Sequence, residues 1–252
     1  MRFASLGSGS KGNSTLVEAG NTLLMIDCGF SLKETVKRLA RLEKDPSELD
    51  AILVTHEHSD HSSGVAALSR KFQIPVFLTH GTAGSGRCDK AYEFRHFTCD
   101  ESFIIKDIVI KPVAVPHDAR EPCQYRLSHN NLSLGVLTDL GSITPHVVSS
   151  YVGCDALLLE FNHDQELLNN GPYPYQLKRR VGGDWGHLNN HQAAALLEKI
   201  GCETLNQLVV AHISEKNNSR EMAQRALQSV LSSLDIVTWA EQDNGFDWLA
   251  LN

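Results

Sequence analysis

None of the apolar runs in this 252-residue chain approaches the roughly 18 residues that a membrane-crossing helix requires. The opening MRFASLGSGSKGN also lacks the basic-then-apolar layout of a secretory leader. A cytoplasmic protein with no membrane partner is therefore expected. Cysteine pairs are missing too: Cys28, Cys88, Cys99, Cys123, Cys154 and Cys202 are scattered, with no Cys-X-X-Cys among them. That pattern argues against a zinc knuckle and a disulfide framework, and reduced, mostly buried thiols are expected. Positive charge is short, with 23 Lys and Arg against 30 Asp and Glu and a net charge of −7. A broad basic face for nucleic acid is thereby disfavoured. A local phosphate site is not, because a bound cation adds positive charge that side-chain counts omit. Repeats, low-complexity tracts and Pro/Ser-rich linkers are also absent, so one domain spanning residues 1–252 is expected.

What remains is an alternation of short apolar segments with helical ones. FASLG, TLVEA and TLLMIDCG read as three strands joined by tight Gly/Asn turns. Ser31 to Glu34 form a capping-box pattern, and Leu32, Val36 and Leu39 then mark one helical face. AILVT (51–55) reads as a buried strand, residues 64–72 as a helix and PVFLT as another strand. IIKDIVIKPVAV, CQYRLS and LSLGVLTD follow as strands, with Asn130-Asn131 as a hairpin turn. DALLLE (155–160) and QLVVAHI continue the strand pattern, while residues 191–200 and 220–231 have helical spacing. Strands followed by helices, twice over, predict an α/β architecture of two packed sheets with helices outside.

Histidine is the residue in excess, twelve in all, and its placement carries chemistry. Behind AILVT stands Thr55-His56-Glu57-His58-Ser59-Asp60-His61. His56 and His58 share the i, i+2 spacing that sends two side chains from one side of an extended segment. Asp60 and His61 follow on a turn. Three imidazoles and a carboxylate so close together suit zinc, manganese or iron. Further ligand types stand at the ends of later strands: His117 after IIKDIVIKPVAVP, Asp139 after LSLGVLT and His212 near the end of QLVVAHI. Strand ends gather along one edge of a sheet, where short loops hold them rigidly.

In that order, Asp27 in LMIDCG, the HEHSDH cluster, His117, Asp139 and His212 resemble the metal-binding pattern of the metallo-β-lactamase superfamily. The resemblance runs over essentially the whole chain. It implies a four-layer αββα sandwich and two divalent metal ions, Zn2+ or Mn2+. One ion would be held by His56, His58 and His117, the other by Asp60, His61 and His212, with Asp139 bridging. Asp60 counts among the catalytic groups as well. Asp27 would lie beneath the cluster and orient its ligands by accepting an imidazole N–H. Paired metals activate water near neutral pH and polarise the oxygen under attack. Esters, thioesters, amides and phosphodiesters all remain open as substrates.

The second half narrows the field. Asp139 stands where the best-known β-lactamase subclass has cysteine, which discounts antibiotic hydrolysis but not a thioesterase such as glyoxalase II. LLLEFNHD (157–164), GHLNNHQAAALLEKIG (186–201) and VVAHIS (209–214) resemble the closing half of tRNase Z. That likeness implies a Glu160–His187 dyad assisting the leaving group, with His187 opening a helix. Asn162-His163-Asp164 departs from the tRNase Z pattern. Lys178, Arg179 and Arg180 just before His187 offer a phosphate grip, since Arg makes two parallel hydrogen bonds. The Gly/Ser loop of residues 7–14, with Ser8, Ser10 and Asn13, offers backbone N–H groups as an anion nest, though it lacks the Gly-Lys-Ser/Thr ending of a P-loop.

SLGSGSKGN, LVTHEHSDH, VPHDAREP, LTDLG, LEFNHD, YQLKRRVGGDWGHLNN and AHISEKNN together resemble the YycJ/WalJ family, linked to 5′→3′ exonuclease activity on DNA. A related branch, PhnP, acts on a small cyclic ribose phosphodiester. The chain is too short for the β-CASP insert of RNase J, so this domain or a homo-oligomer of it must hold the substrate. The leading expectation is a binuclear metal-dependent phosphodiesterase acting as a 5′→3′ DNA exonuclease. A small phosphodiester is the first rival substrate, favoured by the acidic balance. A glyoxalase II-like thioesterase would leave His187 and the basic triplet without a task. A non-catalytic metal-bound adaptor would not need every expected ligand to be present.

Overall fold

A computed structural model of the protein describes residues 1–202 and 204–251. Six strands, β1 (Arg2–Gly7), β2 (Ser14–Ala19), β3 (Thr22–Ile26), β4 (Ala51–Leu53), β5 (Pro75–Leu78) and β6 (Glu93–His96), lie side by side in chain order. The second sheet is β7 (Phe103–Ile105), β8 (Ile108–Ala114), β9 (Cys123–His129), β10 (Leu132–Leu137), β11 (Ala156–Glu160), β12 (Gln207–Ala211) and β13 (Val237–Trp239), again in order. The last strand, β14 (Phe246–Ala250), returns to the first sheet and pairs antiparallel with β1. Each sheet starts as an antiparallel meander and turns parallel, from β3 in the first and from β10 in the second. Parallel neighbours need long crossovers. Helices Leu32–Arg41 and Val65–Phe72 serve the first sheet; Pro145–Tyr151, Asn190–Ile200 and Arg220–Leu227 serve the second.

Strand alternation builds the layers. In β3, Leu24 and Ile26 face the other sheet, while Leu23 and Met25 face the helices. In β11, Ala156 and Leu158 point inward while Leu157 and Leu159 point outward. Because both faces are covered, these strands read as unbroken apolar runs rather than alternating ones. The result is the four-layer αββα sandwich expected from the sequence.

Local details differ from the sequence reading in four places. IIKDIVIKPVAV is a hairpin rather than one strand: Lys106 takes φ +47 and Ile105 pairs with Ile108. Ser31 accepts the Glu34 N–H, which is the forward half of the capping box. The helix expected to begin at His187 begins at Asn190, because Asn189 caps it in a capping box with Gln192. The final helix stops at Leu227. The Asn130-Asn131 turn is present, with Asn130 at φ +54 between the paired residues His129 and Leu132.

The segment from His56 to His61 is held from below by backbone bonds. Asn13 N–H donates to Asp60 O (2.7 Å), Cys28 N–H to His61 O (2.8 Å) and Gly64 N–H to Cys28 O (2.8 Å). Gly29 permits this approach, since a Cβ there would run into the carbonyl oxygen of Asp60. Gly29→Ala should therefore cost about 1–3 kcal/mol through overpacking, read as a lower urea midpoint. An unchanged midpoint would show that the two loops part without cost.

Candidate metal centre

Because β3 and β4 are parallel neighbours, the residues leaving their C-terminal ends meet. Asp27 leaves β3 at φ +58 with its carboxylate buried. That carboxylate accepts from Thr55 N–H (2.8 Å), Thr55 Oγ1–H (2.7 Å) and His61 Nδ1–H (2.8 Å). The single hydroxyl proton of Thr55 is spent there, so its oxygen accepts from His56 Nδ1–H at 2.9 Å. His117 Nδ1–H donates to Gly186 O (3.0 Å), His212 Nδ1–H to Thr138 O (2.7 Å) and His58 Nε2–H to Asp118 O (3.2 Å). Each of the five rings thus has one nitrogen fixed by an oxygen acceptor. The acceptor sets the tautomer and leaves the other nitrogen's lone pair for the centre.

The lone pairs converge. Ligand atoms of His56, His58 and His117 lie within 4.8 Å of one another, as do those of Asp60, His61 and His212. Asp139 stands between the two groups, with Oδ2 3.1 Å from His61 Nε2 and Oδ1 3.9 Å from His117 Nε2. His56 Nε2 and Asp139 Oδ2 are buried and make no aligned hydrogen bond. Orphaned buried polar atoms of this kind are costly, and a cation between them would remove the cost. Nitrogen and oxygen donors in two groups joined by one carboxylate fit a pair of borderline divalent ions. Burial pushes His56 well below the usual imidazole range, keeping it neutral. Burial works to raise the Asp139 carboxyl, but His61 and His212 hold it well below the usual carboxylate range.

Glu160 ends β11 beside this centre. Its Oε1 accepts the N–H groups of Leu140 and Leu188, and its Oε2 lies 3.0 Å from His187 Nδ1. His187 Nδ1 is also 3.7 Å from Asp139 Oδ1. Burial lifts Glu160 well above the usual carboxylate range and pushes His187 down to about 4. His187 also lines a cleft of about 420 Å³, together with His58, Asp60, Asp139 and His212.

The phosphate-binding residues expected from the sequence are only partly brought together. Arg180 lines the cleft and pairs with Asp118. Lys178 and Arg179 do not reach it: Lys178 Nζ donates to Asn169 O (2.7 Å), and Arg179 lies 5.9 Å from the Tyr175 ring. On the helix Tyr175–Val181, the cleft takes the face of Leu177, Arg180 and Val181, which turns positions 178 and 179 away. The anion nest expected in the Gly/Ser loop is corrected likewise. The N–H groups of Gly7, Ser8, Gly9, Lys11, Gly12 and Asn13 are all spent on acceptors within the fold. Ser8 Oγ accepts the His212 N–H, and Asn13 Nδ2 lies 3.1 Å from His61 Nε2 and 3.3 Å from Asp60 Oδ2. Both therefore brace metal-centre residues, while Ser10 alone of the three lines the cleft. Arg87 and Arg120, which the sequence reading missed, also line it. Each is a solitary arginine in a loop; Arg120 stands inside VPHDAREP, where the signal is His117, and Arg87 stands in no motif.

A family model described as a beta-lactamase superfamily domain matches residues 22–213. The chain is 34% identical over 243 residues to exodeoxyribonuclease WalJ of Streptococcus pneumoniae, covering 93% of this chain and 90% of that one. It is 33% identical over 239 residues to exodeoxyribonuclease YycJ of Bacillus anthracis, covering 92% and 89%. Its fold is similar to the metallo-beta-lactamase fold protein YhfI of Bacillus subtilis, with a TM-score of 0.77 at 17% identity and 99% of each chain covered.

Loading the centre must expel protons. Burial works against charge on His61 and His212, but the carboxylates of Asp139 and Asp60 outweigh it, lifting His212 to about 9 and His61 well above its usual range. A divalent ion can take Nε2 of either ring only by displacing a proton. Metal affinity should thus rise with pH from 6 to 8, by about tenfold per pH unit for each proton released. Competition against a chromophoric chelator measures this, and a pH-independent affinity would show that both rings are already neutral before an ion enters.

Proposed function

The chain belongs to the metallo-β-lactamase superfamily, in the branch of the WalJ and YycJ exodeoxyribonucleases, and from that premise we propose that it is a binuclear metal-dependent phosphodiesterase removing nucleotides from DNA ends in the 5′→3′ direction. The observation that carries this reading is one cleft lined by four residues of the donor cluster (His58, Asp60, Asp139 and His212), by His187 with Glu160 behind it, and by three arginines. Arg87, Arg120 and Arg180 line that cleft beside Glu57, Asp60, Asp118 and Asp139, so an anionic substrate is favoured once two divalent ions offset the carboxylates. Two ions, which we assign as Zn2+ or Mn2+, would be held by His56, His58 and His117 and by Asp60, His61 and His212, with Asp139 between them, and would polarise the phosphoryl oxygen and supply a water nucleophile.

The remaining steps belong to the chain. Arg180, Arg87 and Arg120 orient the phosphodiester, with Asp118 holding Arg180 in place. Glu160 and His187 serve the departing oxygen. When the pair holds two protons in all, it is either imidazolium with carboxylate or imidazole with carboxylic acid. Both forms present Nε2–H to the cleft, so either can donate to the leaving group. Asp27, Asn13 and Ser8 lie behind the cluster, where Asp27 fixes His61, Asn13 holds Asp60 and Ser8 holds the backbone of His212.

The test is digestion of end-labelled duplex DNA with added metal, run beside bis(p-nitrophenyl) phosphate and a thioester. Turnover of both phosphodiesters without the thioester is expected, and thioester turnover alone would overturn the reading. His187→Ala should keep the fold and both ions while losing about 10²–10⁴-fold in rate on DNA. The p-nitrophenyl diester should suffer less, because its acidic leaving group barely needs a proton. Loss of a bound ion from this variant would make His187 a ligand and dissolve the dyad.

A further inference from the structure

The indole of Trp185 is 64% exposed, yet the backbone beneath it is tightly held. Its neighbour Gly186 is buried, donates its N–H to Gly183 O (2.8 Å) and accepts the His117 Nδ1–H (3.0 Å). One residue further, His187 N–H donates to Val181 O at 2.8 Å. From the other side Gly141 presses so close that an added Cβ would come within 2.6 Å of Trp185 Cα. A rigid loop therefore holds a large flat apolar group out into solvent. Trp is seldom left so exposed, because it has more apolar area to bury than other residues. Among the described residues, none makes a hydrogen bond or ring contact with that indole.

Its position suggests what does. Successive Cα atoms are about 3.8 Å apart, so the backbone of Trp185 stands within about 8 Å of His187, immediately outside Gly186 and His187, which line the cleft. Arg180, Arg120 and Arg87 on the adjoining cleft wall supply the positive charge for an anion. An anion with a flat, partly apolar body attached one step from its charge is a nucleotide. We propose that Trp185 stacks on the nucleobase next to the scissile phosphodiester, on its leaving-group side, and so makes efficient turnover depend on a base. This inference rests on the phosphodiesterase reading above. It assigns Trp185 to substrate selection: a base-bearing strand is favoured over a bare diester through π-stacking, which tolerates any base sequence.

The test uses two end-labelled oligonucleotides with identical phosphates, one carrying an abasic residue next to the terminal phosphodiester. The wild-type holoenzyme should lose about 10- to 100-fold in kcat/KM on the abasic strand, the range that one stacked base supplies. Trp185→Ala should lose a similar factor on the intact strand and nothing more on the abasic one, while Trp185→Phe restores most of the intact-strand rate. Equal rates of the wild type on both strands would overturn the proposal while leaving the exonuclease reading intact. So would a variant that loses as much on the abasic strand as on the intact one, since Trp185 would then act through the loop. A wild type that cleaves neither strand but turns over a small diester or a thioester would instead overturn the exonuclease reading itself.

Discussion

Burying a carboxylate is costly unless several donors satisfy it, and the ligand edge of this protein is organised around one such group. Burial works to raise the Asp27 carboxyl, against the opposing pull of His61 and Thr55. The donors that Asp27 gathers are a backbone N–H, a hydroxyl and an imidazole N–H. Each has a consequence further up. The backbone bond fixes the exit of the chain from β4, the hydroxyl is left with only its acceptor side for His56, and the imidazole is turned so that Nε2 faces Asp139. Two of the five histidines of the cluster thus take their tautomer and orientation from a single carboxylate, one directly and one through Thr55.

The sheets supply the convergence that this chemistry needs. In each, the strands that bear ligands run parallel, so their C-terminal ends lie on one edge. Asp27 and the His56–His61 segment leave β3 and β4; Asp139, Glu160 and His212 leave or end β10, β11 and β12. The inward alternation that packs Leu24, Leu53, Val136, Leu158 and Val209 into one core holds the two edges face to face. Ligand geometry and core packing are therefore two outcomes of the same strand register.

Parts of the molecule whose physics is local could be read directly. His56, His58, Asp60 and His61 are close in sequence, and the apolar run before them marks a buried strand end. Two packed sheets followed from strands and then helices given twice over, and the four-layer arrangement from the family resemblance. Elements without a buried stripe escaped: the helix Tyr175–Val181 has no buried residue and so no periodic signal, and β6 is an exposed edge strand. That omission is why Lys178, Arg179 and Arg180 read as one basic patch, whereas a helix sends consecutive residues in different directions. Arg87 and Arg120 come to the cleft only through tertiary folding. The Gly/Ser loop carries the right atoms for an anion nest, but its partners Glu241 and Gln242 lie more than two hundred residues away in sequence.

The bond from His117 Nδ1–H to the Gly186 carbonyl ties a donor of one triad to the segment that carries Trp185 and His187. Linkage is reciprocal. Anything that reorients that segment therefore acts on the His117 ring, and anything that draws on the ring acts on the segment. One peptide group thereby serves both the donor cluster and the wall of the cleft.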